Sequence, residues 1–96
     1  MLCLVAYDVS TETPDGRRRL RQVAKICVSF GQRVQKSVFE CELGDRELVR
    51  MRRMLLAEMD LARDNLRIYR IGEADRPKVE AYGLGKLWDY QGPLLA

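Results

Sequence analysis

The chain has 96 residues, of which 47% are hydrophobic and 32% are charged, with a formal net charge of +3. A chain of this length has room for one domain with one modest core, and its apolar content argues against disorder. The longest uninterrupted apolar run, Leu2 to Tyr7, is far shorter than the roughly 20 residues of a membrane span. It also lacks a basic leader and a small-residue cleavage site, so we expect a cytoplasmic protein with no membrane segment.

The sequence contains no histidine. This absence excludes Ser-His-Asp and Cys-His catalysis, His-ligated zinc and acid–base chemistry by imidazole. The three cysteines, Cys3, Cys27 and Cys41, have no C-x-x-C spacing and fall within apolar patterns, so we expect buried free thiols. Any chemistry must therefore use carboxylates, arginine or lysine, hydroxyl groups, or a metal ion held by oxygen ligands.

The positive charge is concentrated in one part of the chain. Residues 16–39 contain no acidic residue but seven basic ones: Arg17, Arg18, Arg19, Arg21, Lys25, Arg33 and Lys36. Such a stretch is typical of proteins that bind polyanions, although a basic helix face in contact with solvent has the same pattern. Arg17, Arg18 and Arg19 fall in the first turn of a predicted helix, where cations oppose the helix dipole. This placement favours a role other than helix stability.

The first half of the chain predicts a strand, a helix and two further strands. The apolar run Leu2 to Tyr7 is typical of a central strand and ends at Asp8. A helix then begins with Thr13 as its cap and Pro14 in its first turn. Its apolar face consists of Leu20, Val23, Ala24, Cys27 and Phe30, and Gly31 ends it. Residues 33–43 read as strand, but the alternation changes parity, which predicts a turn or bulge near Lys36-Ser37.

The second half predicts one more helix and one more strand. Asp45 is the expected N-cap of a helix whose stripe of leucine and methionine packs into the core, and Leu66 to Ile71 form a strand. The order strand, helix, strand, strand, helix, strand predicts an α+β, ferredoxin-like βαββαβ sandwich with both helices on one face of the sheet. We expect residues 1–77 to form this domain and residues 78–96 to form a C-terminal strand and tail that pack on a dimer partner. Packing of this segment on its own chain is the alternative.

Asp8 is the main candidate for chemistry, because it lies at the tip of the central strand before the loop that leads to the arginines. A turn-initiating aspartate that binds backbone N–H groups is the structural alternative. One carboxylate does not hold Mg²⁺ by itself, because the ion takes six oxygen ligands. A two-fold axis near Asp8 would supply a second carboxylate, and Arg17, Arg19 or Arg33 would stabilise the charge that develops on a phosphodiester.

Three groups of residues resemble the small CRISPR-associated adaptation proteins, the dimeric partners of the CRISPR integrase that are also described as CRISPR-associated endoribonucleases. The groups are Tyr7-Asp8-Val9 with Arg17-Arg18-Arg19 and Val23-Ala24-Lys25, the run from Gly31 to Cys41, and Leu66-Arg67-Ile68-Tyr69. The resemblance extends over residues 1 to about 80 and rests on the order and spacing of the groups.

The resemblance implies a ferredoxin-like homodimer in which Asp8 of both subunits faces a shared cleft that binds Mg²⁺. It implies that Asp8, as the metal ligand, and Tyr7 belong to the active site. Residues implied to contact the active site or nucleic acid are Arg17, Arg19, Arg33, Ser37 and Phe39. The basic stretch adds Arg18 and Arg21 as candidates for binding nucleic acid.

Two functions are compatible with this resemblance. The first is a Mg²⁺-dependent nuclease that cleaves RNA or DNA and acts with the CRISPR integrase in spacer acquisition. The second is a non-catalytic dimeric scaffold whose arginines neutralise the backbone of a DNA fragment held between integrase subunits. Both need the basic face, but only the nuclease needs Asp8. A ferredoxin-like regulatory module that binds a small acidic ligand is a third hypothesis, which leaves the seven basic residues unexplained.

Overall fold

A computed structural model of the chain describes residues 1–72 and 78–84. The elements in chain order are β1 (Leu2–Asp8), α1 (Pro14–Phe30), β2 (Gln32–Gln35), β3 (Val38–Glu42), α2 (Asp45–Glu58), β4 (Asn65–Ile71) and β5 (Lys78–Gly83). The strands form one sheet in the order β2-β3-β1-β4-β5, and every neighbouring pair is antiparallel. The first six elements confirm the predicted α+β βαββαβ arrangement. No described helix is long and apolar enough to span a membrane.

Local hydrogen bonds define both ends of α1 and the start of α2. At the start of α1 the Gly16 N–H donates to the Thr13 hydroxyl at 3.0 Å, and Pro14 occupies the first turn, as predicted. Gly31 ends this helix and donates its N–H to the Cys27 carbonyl. The N-cap of α2 is Gly44 rather than the expected Asp45, because the Glu47 carboxylate reaches back and accepts the Gly44 N–H at 2.8 Å.

The parity change in residues 33–43 corresponds to a tight hairpin. Strand β2 ends at Gln35, strand β3 begins at Val38, and the register shifts between Arg33 and Gln35. The predicted division near Lys36-Ser37 is therefore confirmed. The alternation of β3 points Phe39 and Cys41 into the core, while Arg33, opposite Phe39 on β2, is exposed.

The core lies between the sheet and the two helices. Alternate residues of β1, β3 and β4 are buried there, and α1 and α2 supply the other side. The largest fully buried side chains in this core include Phe39, Met51, Leu55, Leu66 and Ile68. All three cysteines are buried and unpaired, as predicted. The opposite face of the sheet bears Leu2 and Ile71, which are 37% and 41% exposed, and no described helix covers it.

Strand β5 lies at one edge of the sheet. We expected residues 78–96 on a partner subunit, but residues 78–83 pair with β4 of the same chain. The Glu80 carboxylate accepts two hydrogen bonds from Arg52 of α2, both 2.7 Å long, and this ion pair fixes the strand to the helical layer. The alternative of packing on the same chain therefore describes β5. Docking of the C-terminal segment on a partner stays a prediction, and residues 85–96 lie outside the described part of the chain.

Candidate nucleic-acid and metal site at the tip of strand β1

Asp8 is the last residue of β1, and its side chain is exposed. Its backbone is fixed on both sides, because Asp8 lies opposite Asn65 of β4 and the preceding Tyr7 N–H donates to the Ser37 carbonyl at 3.1 Å. The β2–β3 turn therefore closes beside the tip of β1. The β2–β3 turn meets the tip of β1 because β1 is the central strand of the sheet and the hairpin turn is short.

A cleft of about 420 Å³ opens beside Asp8. It is lined by Tyr7, Asp8, Val9, Leu20, Arg21, Ala24, Arg33, Lys36 and Ser37. Of these lining residues, Asp8 alone is acidic, whereas Arg21, Arg33 and Lys36 are basic and all three are exposed. The cleft thus combines one carboxylate with three cations that solvent and a ligand can reach.

Tyr7 lines the cleft, and its ring packs on the buried ring of Phe39. Their rings stack with centroids 6.2 Å apart, and the Arg33 guanidinium lies 5.0 Å from the Phe39 centroid. Burial raises the pKa of the Tyr7 phenol, against the opposing effect of a hydrogen bond from Arg33. Tyr7 is therefore a neutral phenol at neutral pH, and its membership of the active site stays a prediction.

Two residues predicted to contact nucleic acid have other roles in the structure. Arg19 is 6% exposed, and its guanidinium is bound by the carboxylates of Asp64 and Asp15. Phe39 is fully buried, so its ring cannot stack on a base. The structure thus covers both side chains, and their predicted contact with nucleic acid is not supported by their exposure.

The remaining predicted binding residues divide into two groups. Arg21, Arg33 and Ser37 line the cleft. Arg17 and Arg18 are exposed outside the cleft lining, and Arg18 forms ion pairs with Asp15 and Glu58 at 3.2 and 3.4 Å. Lys36 also lines the cleft, although the sequence pattern places it only in the basic stretch and not among the site residues. Its place in the predicted turn near Lys36-Ser37 is the sequence feature that could have indicated this role.

The donors present fit a metal ion only in part. The described residues hold no group of three or more acidic, thiol or imidazole side chains that could bind a metal. Asp8 provides one carboxylate on the rim of a cleft that would also receive phosphate oxygens. Mg²⁺ is commonly bound by one or two carboxylates together with water and substrate phosphates, so the donor set fits that ion when substrate and a second carboxylate are supplied.

Comparison with known proteins places the chain in a family. Residues 1–79 match the family described as CRISPR associated protein Cas2. The chain is 50% identical to the CRISPR-associated endoribonuclease Cas2 of Chlorobaculum tepidum and 44% identical to the CRISPR-associated endonuclease Cas2 of Halalkalibacterium halodurans, with 99% of each chain covered in both cases. The crystal structure of Streptococcus pyogenes Cas2 superposes with a TM-score of 0.70 at 53% identity, covering 75% of this chain and 87% of that one. The chain therefore belongs to the Cas2 family of CRISPR-associated proteins.

Proposed function

We propose that this protein hydrolyses phosphodiester bonds of RNA or DNA as a Mg²⁺-dependent nuclease and acts in CRISPR adaptation with the CRISPR integrase in the cytoplasm. The observation that carries the proposal is the exposed Asp8 carboxylate in a cleft with Arg21, Arg33 and Lys36. The names of the relatives, endoribonuclease and endonuclease, support the same reaction class.

The three cations of the cleft bind the sugar-phosphate backbone of the substrate. Arginine and lysine neutralise phosphates without contacting base edges, which gives binding that is independent of sequence and sensitive to salt. The Arg33 guanidinium lies 5.0 Å from the Phe39 ring centroid, and this cation–π contact orients it before substrate arrives. Arginine in such a position stabilises the charge that develops on the phosphoryl oxygens.

Asp8 is the residue that would hold Mg²⁺. When bound, the ion supplies polarisation of the phosphodiester and a lower pKa for an attacking water. Asp8 would hold the ion from the end of a strand whose backbone is hydrogen-bonded on both sides. Histidine is not required for this arrangement, in agreement with its absence from the chain.

A homodimer supplies the second carboxylate. The sheet face opposite the helices bears exposed Leu2 and Ile71, and apolar side chains on an uncovered face support packing of a second copy. In this arrangement the C-terminal segment lies on the partner subunit, and the Asp8 residues of the two copies line one cleft.

A dimeric scaffold without catalysis is the second candidate. The cleft lining offers one carboxylate among the described residues, whereas its three cations are sufficient to bind a DNA backbone. In that function the integrase would supply the chemistry and this protein would supply the basic surface between integrase subunits.

Replacing Asp8 with asparagine separates the two functions. Asp8→Asn keeps the size of the side chain but removes its charge, so Mg²⁺-dependent cleavage is expected to disappear, while oligonucleotide binding is unchanged or slightly tighter because one negative charge is lost. Asp45→Asn, a change of another exposed carboxylate at the start of α2, is the control and should retain activity. Cleavage that persists in the Asp8 variant would show that this residue does not carry the reaction.

A further inference from the structure

A fully buried carboxylate lies directly behind the connection between β1 and α1, which begins after Asp8. The Asp64 side chain is 0% exposed, and its two oxygens accept four hydrogen bonds. Two come from Arg19, at 3.0 and 3.2 Å, and the others come from the backbone N–H groups of Ser10 and Asp60, both at 3.0 Å. Asp64 therefore joins α1, the α2–β4 connection and the β1–α1 connection at one point.

The pair formed by Asp64 and Arg19 is not explained by stability alone. Removing two opposite charges from water costs several kcal/mol, and apolar residues of similar volume often replace a buried ion pair without loss of stability. Burial acts to raise the pKa of the Asp64 carboxyl, but the hydrogen bonds from Arg19, Asp60 and Ser10 outweigh it and the pKa is lowered. The carboxylate is thus kept ionised in the interior, where each of its acceptor positions is used.

The contact with Ser10 is the one that reaches the candidate site. Ser10 is the second residue after Asp8, in the connection between β1 and α1. Its N–H is held by Asp64, and its carbonyl oxygen lies so close to Gly16 of α1 that a methyl group at position 16 would clash with it. The backbone that follows Asp8 is therefore held from two sides, by a charged acceptor and by a glycine that leaves room for the approach.

We propose that Asp64 is a positioning residue for Asp8: by binding the Ser10 N–H it fixes the connection after β1, and so sets the direction in which Asp8 meets the substrate. This inference rests on the proposed nuclease function, because it assigns Asp64 to the same reaction. Catalytic groups lose efficiency when they are misplaced by about 1 Å, and a connection without its anchor permits such shifts.

The test compares Asp64→Asn with Glu80→Gln. Each variant replaces a poorly exposed carboxylate bound by an arginine, but Glu80 lies on β5 and contacts Arg52, away from the Asp8 connection. In Asp64→Asn the amide nitrogen cannot accept a hydrogen bond, so the Arg19, Asp60 and Ser10 donors are no longer all satisfied. Cleavage of an oligonucleotide in Mg²⁺ and amide hydrogen exchange at Ser10 are measured well below the unfolding temperature of each variant.

For Asp64→Asn we expect kcat to fall roughly 10- to 100-fold with KM nearly unchanged. Exchange at Ser10 should become about 5- to 10-fold faster, whereas Glu80→Gln should leave kcat and this exchange as in the wild type. If Asp64→Asn does not fold, Gly16→Ala perturbs the same connection with the ion pair intact, and the same loss of kcat is expected. Faster Ser10 exchange with a wild-type kcat would overturn the positioning proposal alone. A wild-type protein that does not cleave would overturn the proposed function, and the positioning proposal with it.

Discussion

Replacing Arg21, Arg33 and Lys36 by alanine removes all three cations that line the cleft beside Asp8. If each cation contacts one phosphate of duplex DNA, the slope of log K against log salt concentration should decrease by about 2.7 per protomer. Raising the salt concentration fourfold would then cost the variant about 40-fold less affinity than it costs the wild type. The affinity is measured by fluorescence anisotropy on a labelled duplex over a salt series.

The matched control replaces Arg46, Arg50 and Arg53, three exposed arginines of α2. Both triple variants lower the formal net charge from +3 to 0, so a general effect of charge changes them equally. We expect the slope of the α2 variant to stay near that of the wild type. Equal slopes in the two variants would refute the assignment of phosphate contacts to the cleft.

Three further outcomes follow from burial and ionisation. Phe39→Ala should reduce the free energy of unfolding by about 3–5 kcal/mol in urea titrations, because the ring is fully buried; a change confined to DNA affinity would contradict this. Burial raises the pKa of Cys27 to about 12 and of Cys41 to about 11, so iodoacetamide at pH 8 should label them only in denaturant, as read by mass spectrometry. Folding lowers the pKa of the Asp64 and Glu80 carboxyls. The stability that these ionised groups contribute is therefore present above their pKa values in the unfolded chain, which are about 4, and is lost as the pH falls below those values. The unfolding temperature should therefore be level from pH 7 to about 5.5 and drop at lower pH, and a rise on acidification would contradict this.

Hydrophobic patterning was sufficient to locate β1, α1, β3, α2 and β4, because each of them has one buried face, whereas β2 is exposed at all four residues and was located by the change of parity. The parity change between Val34 and Phe39 located the hairpin turn that the structure has at residues 36 and 37. The same alternation also places Phe39 with Cys41 and Leu43, and all three are buried. The site role expected for Phe39 came from the family resemblance, and the strand pattern itself already indicated its place in the core.

The role of Arg19 could not be predicted from its neighbours in sequence. An arginine in a basic first turn is normally exposed. Its burial depends on Asp64, which lies 45 positions later and reaches it only when the sheet brings the α2–β4 connection behind β1. No local pattern contains that contact. The boundary of α2 differs by one residue for a similar reason, because the Glu47 side chain caps Gly44.

The acid-free stretch thus contains cations with two different functions, and the positions of carboxylates from the rest of the chain separate them. Arg18 forms an exposed ion pair with Glu58 of α2, and Arg19 joins α1 to the buried Asp64 carboxylate in the α2–β4 connection. Arg21 lines the cleft formed with the β2–β3 turn, where Asp8 alone among the described lining residues is acidic. An arginine that already forms an ion pair with a carboxylate adds little to phosphate binding, because the phosphate must first displace the carboxylate. The cleft on the Asp8 side therefore presents Arg21, Arg33 and Lys36 as exposed cations, although the densest run of arginines lies one turn earlier and includes Arg17, which is also exposed and donates to the Thr11 carbonyl.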